Sequence, residues 1–318
     1  MTTQEETGKM KTRAFALLIC LLLLAGCAAP TTRTEGYTFT DSTGTAITVK
    51  GKPEKVAVLL SSLADLWVTA GGRVDITVGE TVQRGFAADS AVLVDEGAGK
   101  SINLELLLAS EPDLVIYSPD IAGQAECADA LREAGIPTAG FLVDCFQDYL
   151  KILDICTELT GCPDRAVTYG DQVAQRVEKL IADAGTRAEQ PSILFVRAGS
   201  SARYTKAKTA DTHFACRMLD ELGTTNIADT APVLLDGLST EEILLADPDF
   251  IFYTTMGDEK SGVAYMESLL ADPVWSTLSA VRGGRVYQLP KDLFQYKPNA
   301  RWDGAYAYLS SLLYGEEP

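Results

Sequence analysis

Short apolar runs alternate with amphipathic segments along most of the chain. A strand, a turn and a strand are predicted at 37–40, 41–44 and 46–49, where apolar and polar residues alternate. Continuous apolar runs that predict buried strands occupy 56–60, 76–78, 114–117, 140–143, 192–196, 250–253 and 286–289. Helical patterns separate these runs, the last of them at about 299–314. Buried strands that alternate with helices form parallel sheets covered on both faces, so the pattern predicts an α/β protein with doubly wound sheets.

One long helical pattern divides the chain. Apolar residues recur at helix spacing through residues 164–187, which would make an unbroken helix about 35 Å long. On either side, 102–117 and 238–253 repeat one order: a capped helix, a Pro-Asp break and a buried strand. We therefore predict two α/β lobes joined by a single long helix. The lobes are residues 37–163 and 188–318.

The N-terminus predicts an export signal. Lys11 and Arg13 precede an apolar run over 14–23, which ends in Leu-Ala-Gly-Cys at Cys27. This resembles the bacterial lipoprotein signal, whose cysteine receives a lipid. The alternative is an ordinary signal that happens to contain a cysteine. We expect a signal peptide over 1–27, a lipidated Cys27 and a tether over 28–36. Because the first residues are acidic, we expect translation to start at Met10.

The composition argues against some classes of binding partner. The net charge of −17 argues against nucleic acid and anionic lipid surfaces, and the 47% hydrophobic content suits a packed globular chain. Two interpretations of the remaining cysteines stay open, a Cys156–Cys162 bridge or buried free thiols, and the second is favoured. The five cysteines are Cys127, Cys145, Cys156, Cys162 and Cys216.

Candidate ligand contacts follow the predicted strands, because open α/β sheets bind ligands at the carboxyl ends of their strands. In the first lobe these are Ser61, Ser62 and Thr81. The second lobe concentrates cations and aromatic rings in the corresponding loops, which suits a large or anionic ligand. The alternative is that these loops are simply solvated. The candidates there are Arg197, Arg203, Tyr204, Lys206, His213, Met256, Tyr296, Lys297 and Arg301.

Signs of enzymatic or metal chemistry are few. The sequence contains no G-x-S-x-G, no glycine-rich phosphate loop and no H-E-x-x-H. A single histidine, His213, cannot build a multi-histidine metal site, so no direct metal site and no resident cofactor are predicted. His213 is favoured as a helix cap or packing residue, with an axial haem ligand as the alternative.

Several segments together resemble the lipoprotein solute-binding proteins of ABC importers for iron–siderophore, haem and vitamin B12. They include YTFTDSTGTAITVKGKPEKVAVL, NLELLLASEPDLVI, LGTTNIAD, EEILLADPDFIF and GGRVYQLP, and the resemblance covers nearly all of residues 36–318. It implies a class III periplasmic-binding-protein fold and a non-enzymatic protein that delivers its ligand to a permease and its ATPase.

That resemblance also implies a ligand class and a docking surface. A ferric siderophore is the favoured ligand, with haem or a corrinoid as the alternative and an exported enzyme on the same fold as the third hypothesis. Exposed acids on each lobe would dock on the permease. The matching residues are Glu126 and Glu259, with Asp258 as a second candidate. We expect an extracytoplasmic, lipid-anchored monomer.

Overall fold

Two short strands, β1 (Tyr37–Thr40) and β2 (Ala46–Val49), open the described part of the chain, residues 36–315 of a computed structural model. They pair antiparallel, as the alternating pattern predicted. Asp41 holds the turn, since its Oδ1 accepts the amides of Thr43 and Thr45. The predictions on Met10, the signal peptide, Cys27 and nearly all of the tether lie outside the described residues.

The N-terminal lobe is built on a parallel sheet in the order β5-β4-β3-β6-β7. Its strands are β3 (Val56–Val58), β4 (Ile76–Val78), β5 (Val92–Asp95), β6 (Leu114–Tyr117) and β7 (Thr138–Gly140). Its helices are α1 (Ser61–Thr69), α2 (Gly79–Gln83), α3 (Leu104–Ala109), α4 (Ala122–Glu133) and α5 (Phe146–Thr160).

Two strand predictions in this lobe need correction, and one strand was not predicted. Strand β3 stops at Val58 rather than residue 60, because Leu60 already caps helix α1. Strand β7 covers 138–140 rather than 140–143, so the apolar residues after Gly140 belong to a buried loop. Strand β5 was not predicted, since its Val92 and Leu93 are exposed at the sheet edge and the segment is not a continuous buried run.

The connecting helix is interrupted, which corrects the prediction of an unbroken helix over 164–187. It consists of Asp164–Ala166, a π-helical turn at Val167–Asp171, and Gln172–Gly185; together these form α6. The hydroxyl of Tyr149 donates to the carbonyl oxygen of Tyr169 within this turn, at 2.8 Å. A side chain that bonds to a helix carbonyl is a recognised cause of such an irregularity. The helix therefore changes its hydrogen-bonding pattern at Val167–Asp171.

The C-terminal lobe has a second five-stranded sheet, ordered β10-β8-β11-β12, with β9 antiparallel to β8. Its strands are β8 (Ser192–Ala198), β9 (Lys206–Ala207), β10 (Thr225–Asn226), β11 (Phe250–Thr255) and β12 (Val286–Gln288). Its helices are α7 (Phe214–Glu221), α8 (Thr240–Ala246), α9 (Glu259–Leu270), α10 (Ser279–Arg282), α11 (Lys291–Phe294) and α12 (Trp302–Tyr314).

One hydrophobic core runs through both lobes. The Trp302 ring lies 5.6 Å from that of Phe146 in the N-terminal lobe and 5.7 Å from that of Phe214 in the C-terminal lobe. Residues 37–315 accordingly belong to one compact unit. Among the described residues no helix is long and apolar enough to cross a membrane. All five described cysteines are free thiols, so the Cys156–Cys162 bridge is not formed.

Candidate functional site

Two adjoining cavities lie where the strands of both sheets end. Their volumes are about 410 and 310 Å³. The first is lined mainly by the C-terminal lobe, and the second mainly by the N-terminal lobe. Both share four wall residues, which makes them parts of one cleft between the lobes. The shared residues are Asp120, Arg197, Gln295 and Lys297.

Arg197 is an unpaired cation in this cleft. It lies near the end of β8, is half-buried, and lines both cavities. Its guanidinium group makes no hydrogen bond or ion pair with any other residue in the described range 36–315. Burial lowers the pKa of Arg197, yet an arginine remains charged in proteins. An unpaired buried charge is costly, so this group is poised to bind an anion.

Arg217 adds a second guanidinium to the larger cavity. It projects from helix α7, and its Nη2 donates to the carbonyl oxygen of Ala210 at 3.3 Å. Its Nε is buried without a hydrogen-bond partner among the described residues. Arg217 was not among the predicted contacts because it lies on a helix rather than in a loop that follows a strand. A cation at the fourth position of a helix that begins at the cleft was the available signal.

His213 is neutral and serves as the cap of helix α7. Its Nδ1 accepts the Ala215 amide at 3.2 Å, and its ring packs 4.7 Å from that of Phe195 and 5.1 Å from that of Phe214. Burial first, and then the positive charges of Lys297, Arg197 and Lys208, lower the pKa of His213 to about 3. Because Nδ1 accepts, Nε2 carries the proton. His213 lines the larger cavity, and its neutral ring keeps one N–H group, at Nε2.

Lys297 balances nearby acids. Its Nζ lies 3.8 Å from Asp144 Oδ1 and 4.8 Å from the centre of the Phe214 ring. Burial lowers the pKa of Lys297, while the negative charges of Asp144, Asp120 and Asp148 oppose that shift. Unlike the two arginines, this lysine is compensated by carboxylates of the protein.

A polar cluster joins the two lobes beside the smaller cavity. The Tyr296 hydroxyl donates to Glu80 Oε1 at 3.2 Å, and Ser61 donates to Glu80 Oε2 at 2.5 Å. The Arg84 guanidinium stacks on the Tyr296 ring at 3.7 Å and donates to Ser61 Oγ at 2.8 Å. Ser62 accepts from the Lys297 amide at 3.4 Å. These bonds engage Ser61, Ser62 and Tyr296 within the protein, although all three line the cavity.

Half of the predicted contacts lie in the cleft. The cavity walls contain Ser61, Ser62, Arg197, His213, Tyr296 and Lys297. The other six predicted residues are absent from those walls: Thr81, Arg203, Tyr204, Lys206, Met256 and Arg301.

The six residues outside the walls have other surroundings. Thr81 is fully buried, and Arg203 stacks its guanidinium on the exposed ring of Tyr204 at 5.7 Å. Arg301 lies 4.0 Å from Asp65 and is half-exposed. Position after a predicted strand grouped these residues with the cleft, but Arg203, Tyr204 and Arg301 lie in 3-10 helices outside the cavity walls.

The predicted docking acids occupy related places in the two lobes. Glu126 is exposed on α4, the helix after β6, and Glu259 is exposed at the start of α9, the helix after β11. Glu259 accepts from Gln288 Nε2 at 3.0 Å, whereas Asp258 caps helix α9 by accepting from the amide of Ser261. Asp258 therefore has a structural role as a helix cap.

Comparison with known proteins agrees with this architecture. A family model for the periplasmic binding protein matches residues 56–293. The uncharacterized ABC transporter substrate-binding lipoprotein YvrC of Bacillus subtilis is 26% identical over 305 residues, covering 89% of this chain and 92% of YvrC. The Fe(3+)-citrate-binding protein YfmC of the same organism is 23% identical over 302 residues, covering 87% and 88%.

A solved structure shows the same fold. The periplasmic heme-binding protein RhuT from Roseiflexus sp. RS-1, in its apo form, superimposes with a TM-score of 0.67 at 19% identity. The match covers 83% of this chain and 99% of RhuT. Together with the family match, it establishes a class III arrangement of two α/β lobes. The chain belongs to the periplasmic binding protein family and is a non-enzymatic, extracytoplasmic substrate-binding protein of an ABC importer.

Proposed function

We propose that the cleft captures an anionic ferric chelate whose iron is bound by carboxylate-type groups. The observation that carries this proposal is the unpaired guanidinium of Arg197, which lines both cavities. Guanidinium groups bind carboxylates through two parallel hydrogen bonds, and the interaction strengthens where water is excluded. The name of the relative YfmC, an Fe(3+)-citrate-binding protein, supports the same ligand class.

The remaining wall would complete an anion site. Arg217 would supply a second guanidinium and His213 a neutral Nε2–H donor, since both residues line the larger cavity. Thr254 lines this cavity beside them. Such a set favours several oxygens spread over a chelate more than a single point charge.

Haem is the second candidate, and the site supports it less well. An iron-ligating histidine ordinarily donates its other ring N–H to a partner, which leaves a lone pair for the metal. In His213 the order is reversed, because Nδ1 accepts and Nε2 is protonated. Tyr204, another candidate ligand, is 50% exposed and absent from the cavity walls. No feature of the described residues specifically favours a corrinoid.

The test is spectroscopic. Purified full-length protein would be titrated separately with ferric citrate, haemin and cobalamin, and binding followed by tryptophan fluorescence and visible absorption. We expect saturable binding of ferric citrate, and no Soret shift with haemin. A Soret shift with haemin at lower concentration than ferric citrate needs would overturn the proposal.

We also propose that Cys27 anchors the protein by a lipid and that Glu126 and Glu259 contact the permease. The sequence Leu-Ala-Gly-Cys supports the anchor, and so does the description of the relative YvrC as a lipoprotein. The exposure of both glutamates on corresponding helices of the two lobes supports the docking role.

A further inference from the structure

The cations that line the larger cavity are less exposed than the carboxylates that line it. The cations Arg197 and Arg217 are half-buried, and Lys297 keeps only 27% of its side chain exposed. Three exposed aspartates line the same cavity; Asp144, for example, has 62% of its side chain exposed. We call Asp120, Asp144 and Asp211 the acidic rim. The cavity thus has a cationic interior and an anionic mouth.

Most of these charges are not paired with one another. Within residues 36–315, Asp120 and Asp211 form no ion pair with a lysine or arginine, and Arg197 and Arg217 form none with a carboxylate. Among the described residues, Asp120 accepts a hydrogen bond only from Ser118 Oγ, at 2.5 Å. Apart from the Lys297–Asp144 pair, the opposite charges of the described residues that line this cavity of about 410 Å³ do not neutralise each other by direct contact.

The wall between the two cavities offers one more unused group. Gln295 Oε1 is buried and accepts no hydrogen bond from any described residue, and its residue lines both cavities. A buried acceptor without a donor costs free energy. A ligand that brings an N–H or O–H group would recover this cost.

From this arrangement we infer that the ligand is dipolar: its anionic part enters toward Arg197 and Arg217, and an ammonium or similar cationic group faces the acidic rim. This inference rests on the proposed function and makes it more specific. A chelate that is anionic all over would meet the rim carboxylates with like charge. Specificity of this kind comes from repulsion of the wrong ligand as much as from attraction of the right one.

Two matched chelates test the inference. The first is the ferric complex of a citrate monoamide made with 1,2-diaminoethane, which retains a free ammonium group. The second is the same complex after N-acetylation, which removes only that charge. We expect full-length protein to bind the ammonium form about tenfold more tightly, an effect that salt should weaken because the rim is exposed.

The double variant Asp120→Asn with Asp211→Asn should bring the two affinities to within about twofold. The matched control is Asp89→Asn with Glu189→Gln, which removes the same number of exposed negative charges away from the cavity walls. This control variant should still bind the ammonium form more tightly than the acetylated form. Equal affinities in the unaltered protein, or a preference that survives the rim variant, would overturn the inference alone. Failure of both chelates to bind would contradict the proposed function and the inference with it.

Discussion

Tyr296 of the C-terminal lobe donates a hydrogen bond to Glu80 of the N-terminal lobe, with 3.2 Å between the two oxygens. The contact is held on both sides: Arg84 stacks on the tyrosine ring, and Ser61 donates to the other carboxylate oxygen. Asn299 adds a second link between the lobes, donating to the carbonyl oxygen of Ser62 at 2.8 Å. These bonds and the shared core around Trp302 favour a small relative movement of the lobes.

Tyr296→Phe should lower the free energy of unfolding by about 1–2 kcal/mol, because a hydrogen bond to a charged acceptor is lost while Glu80 keeps its other donor. Urea unfolding followed by tryptophan fluorescence measures the change. Tyr204→Phe is the matched control, since that ring is exposed and its hydroxyl has no described partner. Equal effects of the two variants would show that the bridge contributes nothing specific.

Arg197→Gln should weaken ferric citrate binding by roughly thirtyfold or more, because truncating one partner of a buried charged pair costs about 2–5 kcal/mol. Arg203→Gln provides the control, because this arginine is exposed outside the cavity walls. The ferric citrate affinity of this variant should stay within about threefold of that of the unaltered protein. Fluorescence titration gives both dissociation constants. A larger loss in the Arg203 variant would place the anion site near that residue instead.

The single histidine gives a direct spectroscopic readout. With its pKa lowered to about 3 by burial, His213 should stay neutral, with the proton on Nε2, from pH 8 to pH 5. Imidazole ¹⁵N shifts measured over this range should not change. A midpoint near 6 would contradict the buried, neutral assignment.

The same group should make the protein less stable in acid. Because the pKa of folded His213 lies below its ordinary value of 6.5, the unfolded chain takes up a proton that the folded protein refuses. The stabilising contribution is complete above pH 6.5 and decreases as the pH falls toward 3, by up to about 1.4 kcal/mol per pH unit. In His213→Asn, which can still cap helix α7, this part of the pH dependence should disappear from urea unfolding curves.

Glu126→Gln combined with Glu259→Gln should strongly reduce transport in vesicles that contain the permease, while ferric citrate affinity stays unchanged. Exposed charges contribute modestly one by one, so the double variant is required. Glu105→Gln with Glu241→Gln is the control, because these exposed glutamates lie in the first turns of α3 and α8. Normal transport by the first pair would remove both residues from the docking role.

Cys27→Ser should release the protein from the membrane fraction. A single cysteine carries the proposed lipid, and no helix within residues 36–315 could hold the chain in a bilayer. Fractionation of cells at high salt measures the distribution, with Cys162→Ser as the control cysteine variant. Persistence of the Cys27 variant in the membrane fraction would contradict lipid anchoring.

The repeated Pro-Asp segments show how much of the fold could be predicted from local sequence. Both were expected to follow a capped helix and precede a buried strand, and both do. Asp113 accepts the amides of Glu54 and Lys55 ahead of β3, and Asp249 accepts the amide of Ser192 at the start of β8. Helix caps, strand runs and the α/β class depend on contacts between near neighbours, which periodicity records directly.

Contacts and ion pairs between side chains that are distant in the sequence were determined only by the tertiary structure. Nothing near Arg197 in the sequence shows that no carboxylate will reach it, or that Gln295 and Arg217 will share its cavity. Tyr149 likewise meets Tyr169 only after α5 packs against α6, and that contact accompanies the π-helical turn. Sequence patterns determined most of the strands and helices. The packing of two lobes determined which charges remain unpaired, because desolvation and pairing depend on neighbours far apart along the chain.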